Sequence, residues 1–260
     1  MKKTKTKKIK DSSKLRATGK KTRGLNSYKL RETGKKKTKK TKMIIDIPFS
    51  KYKSKGTKAT LGDIEYHYQE YRNIKNFFKS LKLNFNYKNP ILHLYVRKKE
   101  VSNVSIPELI FDKKFNIVII NLNTEDGENH ANIALIDNKH NKIEFYEPHG
   151  YMKYQSQDKS NNFYLKKYKL LKEIFSNILP NHSFVDAVSY NKKTSFQSKL
   201  DPDENTGFCI VWCILFIHFR LLNTDILLPK LMKYIDKTMT TNKLLKYARY
   251  VEETIKKYKI

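Results

Sequence analysis

The chain has 260 residues, of which 39% are hydrophobic and 12% aromatic, and it carries a formal net charge of +29. That length accommodates one sizeable domain plus a tail, and the charge makes polyanions natural partners. Two cysteines four residues apart, Cys209 and Cys213, exclude a disulfide framework and point to a reducing, intracellular compartment; the Lys- and Thr-rich start lacks the apolar stretch of a secretory signal.

The charge is uneven. Residues 1–42 hold 19 Lys and Arg against Asp11 and Glu32, a net +17, and the remaining 218 residues carry +12. With few apolar side chains to offset ordering entropy, 1–42 is predicted to be a basic, disordered tail. Its run KKKTKKTK at 35–42 suits a nuclear address or the binding of DNA or another polyanion. A purely solubilising tail would have the same composition, and an AT-rich genome would give the same Lys and Asn bias in the body.

The folded domain is expected to span 43–260, with an N-terminal helical and extended part (43–114), a core (115–228) and C-terminal helices (229–260). In chain order, Ile64, Tyr68, Tyr71, Ile74, Phe77, Phe78 and Leu81 mix spacings of three and four, so 63–83 reads as an amphipathic helix with Asp63 as its N-cap. NPILHLYV at 89–96 reads as a turn into an extended segment. FNIVIINL at 115–122 is a buried strand. ANIALIDN (131–138) and KIEFYEP (142–148) flank a short polar turn and read as a hairpin. Leu165, Tyr168, Leu171, Ile174 and Phe175 predict a helix over 163–178, and SFVDAVSY at 183–190 a further strand. The run FCIVWCILFIHFRLL at 208–222 contains His218 and Arg220, so it reads as a buried core helix rather than a membrane span. One or two more helices follow over 227–258. The fold class is therefore α+β, a central, mostly antiparallel sheet flanked by helices.

The hairpin register locates a candidate site. A four-residue loop closed by Asp137 and Lys142 makes paired residue numbers sum to 279, which puts Asn132 opposite Glu147. His130 shares a face with Asn132, because side chains alternate with period two. His130 and Glu147 are then diagonal neighbours about 7–8 Å apart at the backbone, and the carboxylate can fix the imidazole tautomer. Asp137 and Glu144 face the other way. His149 falls opposite His130 and stays open as a second imidazole. A one-residue slip would invert the assignment.

Cys209 is the candidate nucleophile. Gly207 stands just before the apolar helix, so Cys209 falls in its first turn, where the macrodipole and unpaired N–H groups favour a thiolate. A nearby His130 would complete a Cys-His pair. Most cysteines in apolar runs are inert core residues, and Cys213, one turn deeper, reads as one of these. Two cysteines at this spacing match no standard zinc pattern, and the chemistry needs neither a metal nor a cofactor.

The segments NHANIALIDNKHNKIEFYEPHG and NTGFCIVWCILFIHFRLLNTDI together resemble the adenain-like and SUMO-protease-like (ubiquitin-like protease) cysteine peptidases, of the type carried by large DNA viruses. The resemblance covers roughly residues 115–228. It rests on chain order, on an acid seventeen residues after the His, and on a cysteine that opens the central helix. It implies a papain-like arrangement with His130, Glu147 and Cys209 as catalytic residues. It also implies a Gln that helps form the oxyanion hole, six or seven residues before the cysteine. Those positions are Pro202 and Asp203 here, and the nearest candidate is Gln197, twelve before Cys209. The family often has Trp after its His, where this chain has Ala131.

The implied activity is a thiol endopeptidase that cleaves after small residues, of Gly-Gly-X or Gly-X type, in viral polyproteins or ubiquitin-like protein tails. The implied setting is a virion, the host cytoplasm or viral factory, or the nucleus, with DNA binding through residues 1–42. Two alternatives belong to other classes. One is an acetyltransferase that uses the same His-Glu-Cys order on host proteins. The other is a non-catalytic, basic, nucleic-acid-binding virion protein on a protease scaffold.

Overall fold

The apolar run at 115–122 lies in the middle of a sheet with both faces covered, which is why it shows no polar alternation. The computed structural model describes residues 71–98, 100–103, 105–125, 129–150, 163–190 and 208–258. The strands are β1 (Leu92–Arg97), β2 (Glu100–Asn103), β3 (Phe115–Thr124), β4 (Asn129–Asp137), β5 (Lys142–Tyr146) and β6 (Ser183–Asp186). The helices among the described residues are α1 (Tyr71–Ser80), α2 (Phe163–Ile178), α3 (Cys209–Leu222), α4 (Leu228–Thr238) and α5 (Thr241–Lys257). The expected tail 1–42, the domain start at 43, the Asp63 cap and Gln197 all lie outside the described residues.

The fold is α+β, built on a six-stranded sheet of order β2-β1-β3-β4-β5-β6. The sheet is mixed: three of its five pairings are antiparallel, β1 with β2 among them, in keeping with the expected mostly antiparallel sheet, and two are parallel, which was not expected. The centre, β3-β4-β5, is antiparallel, whereas β1 pairs with β3 and β5 with β6 in parallel. A parallel neighbour requires a crossover, and α2 supplies it between β5 and β6.

Two apolar layers enclose the sheet. On one face Ile117, Ile119, Ile133, Leu135 and Tyr146 pack with residues of α1, α3, α4 and α5. On the other, Val118, Ile120, Ala134, Ile136, Ile143 and Phe145 pack with Leu171, Ile174 and Phe175 of α2. α3 is buried on all sides from Cys209 to Leu221, as expected of a helix that is apolar all round. No helix among the described residues is long and apolar enough to cross a membrane.

The helix at 163–178 matches its expectation to the residue. The strand expected over 183–190 does not. It ends at Asp186, and Ala187–Tyr190 form a 3-10 turn. Asp186 Oδ1 accepts the N–H of Val188, and Ser189 Oγ donates to the Asp186 carbonyl. These local bonds offer the backbone an alternative to the ladder.

Candidate active site

The hairpin has the register that its loop length implies. Asp137 pairs with Lys142 and Ile133 with Tyr146, and Asn141 closes the four-residue turn at φ 51°, a conformation Asn tolerates. Pairing stops after Tyr146 because Pro148 has no N–H for a ladder. The chain turns there, with the Gly150 N–H donating to the Glu147 carbonyl at 2.9 Å. Pro at the second position and Gly at the fourth suit such a turn, and Gly150 takes φ 80°. The turn also holds the Glu147 side chain, whose Oε1 accepts the His149 N–H at 3.0 Å.

The same oxygen meets His130. Its Nε2 lies 2.5 Å from Glu147 Oε1. Glu147 is fully buried and the His130 side chain is 12% exposed. With Nε2 committed to the carboxylate, Nδ1 is the ring nitrogen left for the thiol, and the imidazole shares a hydrogen bond with Cys209. Sequence reasoning placed these three residues, and the fold brings them together.

The early end of β5 has a second effect. Its ladder does not reach Ala131, and two thiols of α3 engage the backbone of that residue. The Ala131 N–H donates to Cys209 Sγ at 3.4 Å, and Cys213 Sγ donates to the Ala131 carbonyl at 3.5 Å. Cys209 is the first residue of α3, after Phe208. The helix start, the strand edge and the imidazole all meet at its sulfur.

Electrostatics separates the roles. Burial alone would push the His130 imidazole down. The Glu147 charge, then hydrogen bonds to Cys209 and Glu147, reverse this and raise it to about 9. Burial alone would push the Glu147 carboxyl up, but His130 and then Lys167 hold it well below the usual carboxylate range. The pair is therefore imidazolium and carboxylate at neutral pH. Burial, with the nearby Cys209 and Glu147, pushes the Cys213 thiol well up, so Cys213 stays a protonated donor.

The rejected acids have other partners. Asp137 accepts N–H groups of its own turn and pairs with His140 at 2.6 Å. Glu144 lies on the α3 face, where Arg220 Nε and Nη2 grip its two oxygens at 2.7 and 3.1 Å. His149 does join the site, with its ring centroid 4.1 Å from that of His130. His130, Glu147 and His149 offer ligand atoms within 4.8 Å of one another, a spacing a metal ion would accept. Both Glu147 oxygens are already engaged, however, and a dication would have to displace the ammonium of Lys167 from Oε2.

Lys167 is the residue that sequence reasoning missed. Its side chain is fully buried against Glu147. The signal was a lysine four residues before Leu171 and seven before Ile174, on the core-facing stripe of α2.

No known family model matches the chain, and no curated protein matches it.

Proposed function

We propose that this chain is a cysteine endopeptidase with Cys209 as nucleophile, His130 as acid and base, and Glu147 as the group that orients and charges the imidazole. The observation that carries this reading is the convergence at Cys209. A thiol at the start of a buried helix is hydrogen-bonded to an imidazole, and a buried carboxylate holds that ring's far nitrogen at 2.5 Å. This is the arrangement of an activated thiol.

Cys209 sulfur, as thiolate, attacks the scissile carbonyl carbon and the carbonyl π electrons move to oxygen. When the tetrahedral adduct collapses, the C–N bond breaks and the His130 imidazolium gives its proton to the leaving amine. A thioester remains. Neutral His130 then takes a proton from water, hydroxide adds to the thioester carbonyl, and sulfur leaves as thiolate. Glu147 stabilises the imidazolium at each stage in which it exists. The N–H of Cys209, in the first turn of α3, and a side-chain donor for which the sequence offers Gln197 would hold the oxyanion.

Cys209 is only 6% exposed and the His130 side chain 12%, so access to the reacting atoms is narrow. Narrow access suits a small residue on the acyl side of the cut, the Gly-Gly-X or Gly-X cleavage that the resemblance to adenain-like and SUMO-protease-like peptidases implies. Viral polyproteins and ubiquitin-like tails are the substrate classes of that kind. The papain-like character of the arrangement belongs to this reading too.

An electrophilic probe built on a Gly-Gly tail tests it. The reading expects labelling of the wild type on Cys209, none of Cys209→Ala, and cleavage of Gly-Gly-X peptides. Absence of both, with acetyl groups transferred from acetyl-CoA to protein lysines, would replace it with the acyltransferase.

A further inference from the structure

α2 carries a lysine where its apolar stripe calls for an aliphatic side chain. Lys167 lies one turn before Leu171, and its side chain is 0% exposed. An ammonium is not buried without compensation. The compensation here is Glu147, whose Oε2 pairs with Lys167 Nζ while Oε1 faces His130 Nε2. One carboxylate therefore lies between two cations from different elements, the imidazole on β4 and the ammonium on α2.

The charged and titratable groups around this carboxylate come from every neighbouring element. They are His130 from β4, Tyr146 from β5, His149 from the turn after β5, Lys167 from α2, and Asp186 from the end of β6. Cys209 and Cys213 come from α3. Asp186 is 8% exposed. Burial raises its carboxyl to about 7, against the N–H of Val188, with Glu147 raising it further and Lys167 opposing. Asp186 is thus the weaker claimant on the ammonium, and Glu147 the stronger.

We infer that Lys167 is a positioning residue of the Cys209 site: it fixes the rotamer that aims Glu147 Oε1 at the imidazole, and by sharing the carboxylate's charge it limits how tightly His130 holds its proton. The inference rests on the reading of Cys209 and His130 as a thiolate–imidazolium pair. Its consequence has a definite sign. Without the ammonium, less of the Glu147 charge is offset, so the imidazolium survives to higher pH. A lysine that merely filled space would leave that pH unchanged when replaced.

The test uses the full chain and needs no substrate. The rate of Cys209 alkylation by iodoacetamide is followed against pH, with the Cys209 peptide read by mass spectrometry and folding checked by circular dichroism. The wild type is expected to show an alkaline inflection where the imidazolium is lost. Lys167→Met should move that inflection up by about one pH unit, the lower end of the effect of a nearby charge, and Lys167→Arg should leave it in place. Lys167→Gln removes the charge while keeping a donor for Glu147, and serves if the Met variant does not fold. An inflection unmoved or lowered in the neutral variants overturns the inference alone. A wild-type profile without any alkaline inflection overturns the dyad reading and the inference with it.

Discussion

His130 and Glu147 are the residues whose charges depend most on the fold. The Glu147 carboxyl is depressed, so its contribution to stability is fully present above its ordinary value of 4.5 and is lost as pH falls towards its folded value. The His130 imidazole is raised to about 9, so its contribution is fully present below 6.5 and is lost as pH rises through 9. Their joint contribution is complete between those windows, from about pH 5 to 6.5. Glu147→Gln removes the carboxylate from both cations. It should lower kcat/KM for a Gly-Gly-X peptide about 10²–10⁴-fold, the scale of losing the group that orients a catalytic imidazole. It also strands Lys167, so denaturant melts at pH 6 should show a loss of about 3–5 kcal/mol. A variant that kept both wild-type turnover and stability would remove Glu147 from the account.

At the scale of elements, much of the site was legible in the sequence. The hairpin register followed from a four-residue turn and a period of two, and that parity separated Glu147 from Asp137 and Glu144. The helix start followed from the onset of the apolar run at Phe208. What was illegible came from pairing between distant segments. β1 and β6 join the sheet in parallel, and nothing in their short sequences states a direction. β2 is four residues, Glu100–Asn103, with no apolar alternation to announce it. Lys167 takes its meaning from Glu147, twenty residues earlier on another element. The strand expected over 183–190 failed at Asp186 because the side chain there accepts the backbone N–H of Val188, two residues on.

α3 is tied to the sheet at its far end by Arg220 and Glu144, with side chains 6% and 2% exposed. Arg220 Nη1 also donates to the carbonyls of Asn223, Thr224 and Ile226, so this one guanidinium joins β5, α3 and the loop into α4. Arg220→Met leaves a buried, unpaired carboxylate and should cost about 3–5 kcal/mol in urea unfolding. Adding Glu144→Leu should recover most of that loss, since a buried pair and its apolar replacement are often close in stability. A loss in the double variant equal to the sum of the losses in Arg220→Met and Glu144→Leu alone would show that the two side chains are not coupled.

For the whole molecule the dominant quantity is charge. A net +17 over residues 1–42 is positioned in sequence away from His130, Glu147 and Cys209. Deleting 1–42 should weaken binding to duplex DNA and flatten its salt dependence, by about 0.9 in log–log slope for each phosphate no longer neutralised, while peptide cleavage persists. Cleavage that disappeared along with DNA binding would make the segment part of the catalytic apparatus. The central claim, that Cys209 is a nucleophile activated by His130 rather than a core thiol like Cys213, is tested most directly by labelling the folded chain with the Gly-Gly electrophile and mapping the adduct. The account predicts one adduct per chain, on Cys209, abolished in Cys209→Ala and strongly slowed in His130→Ala. Absence of any adduct, or labelling of Cys209 and Cys213 alike and only after unfolding, would contradict it.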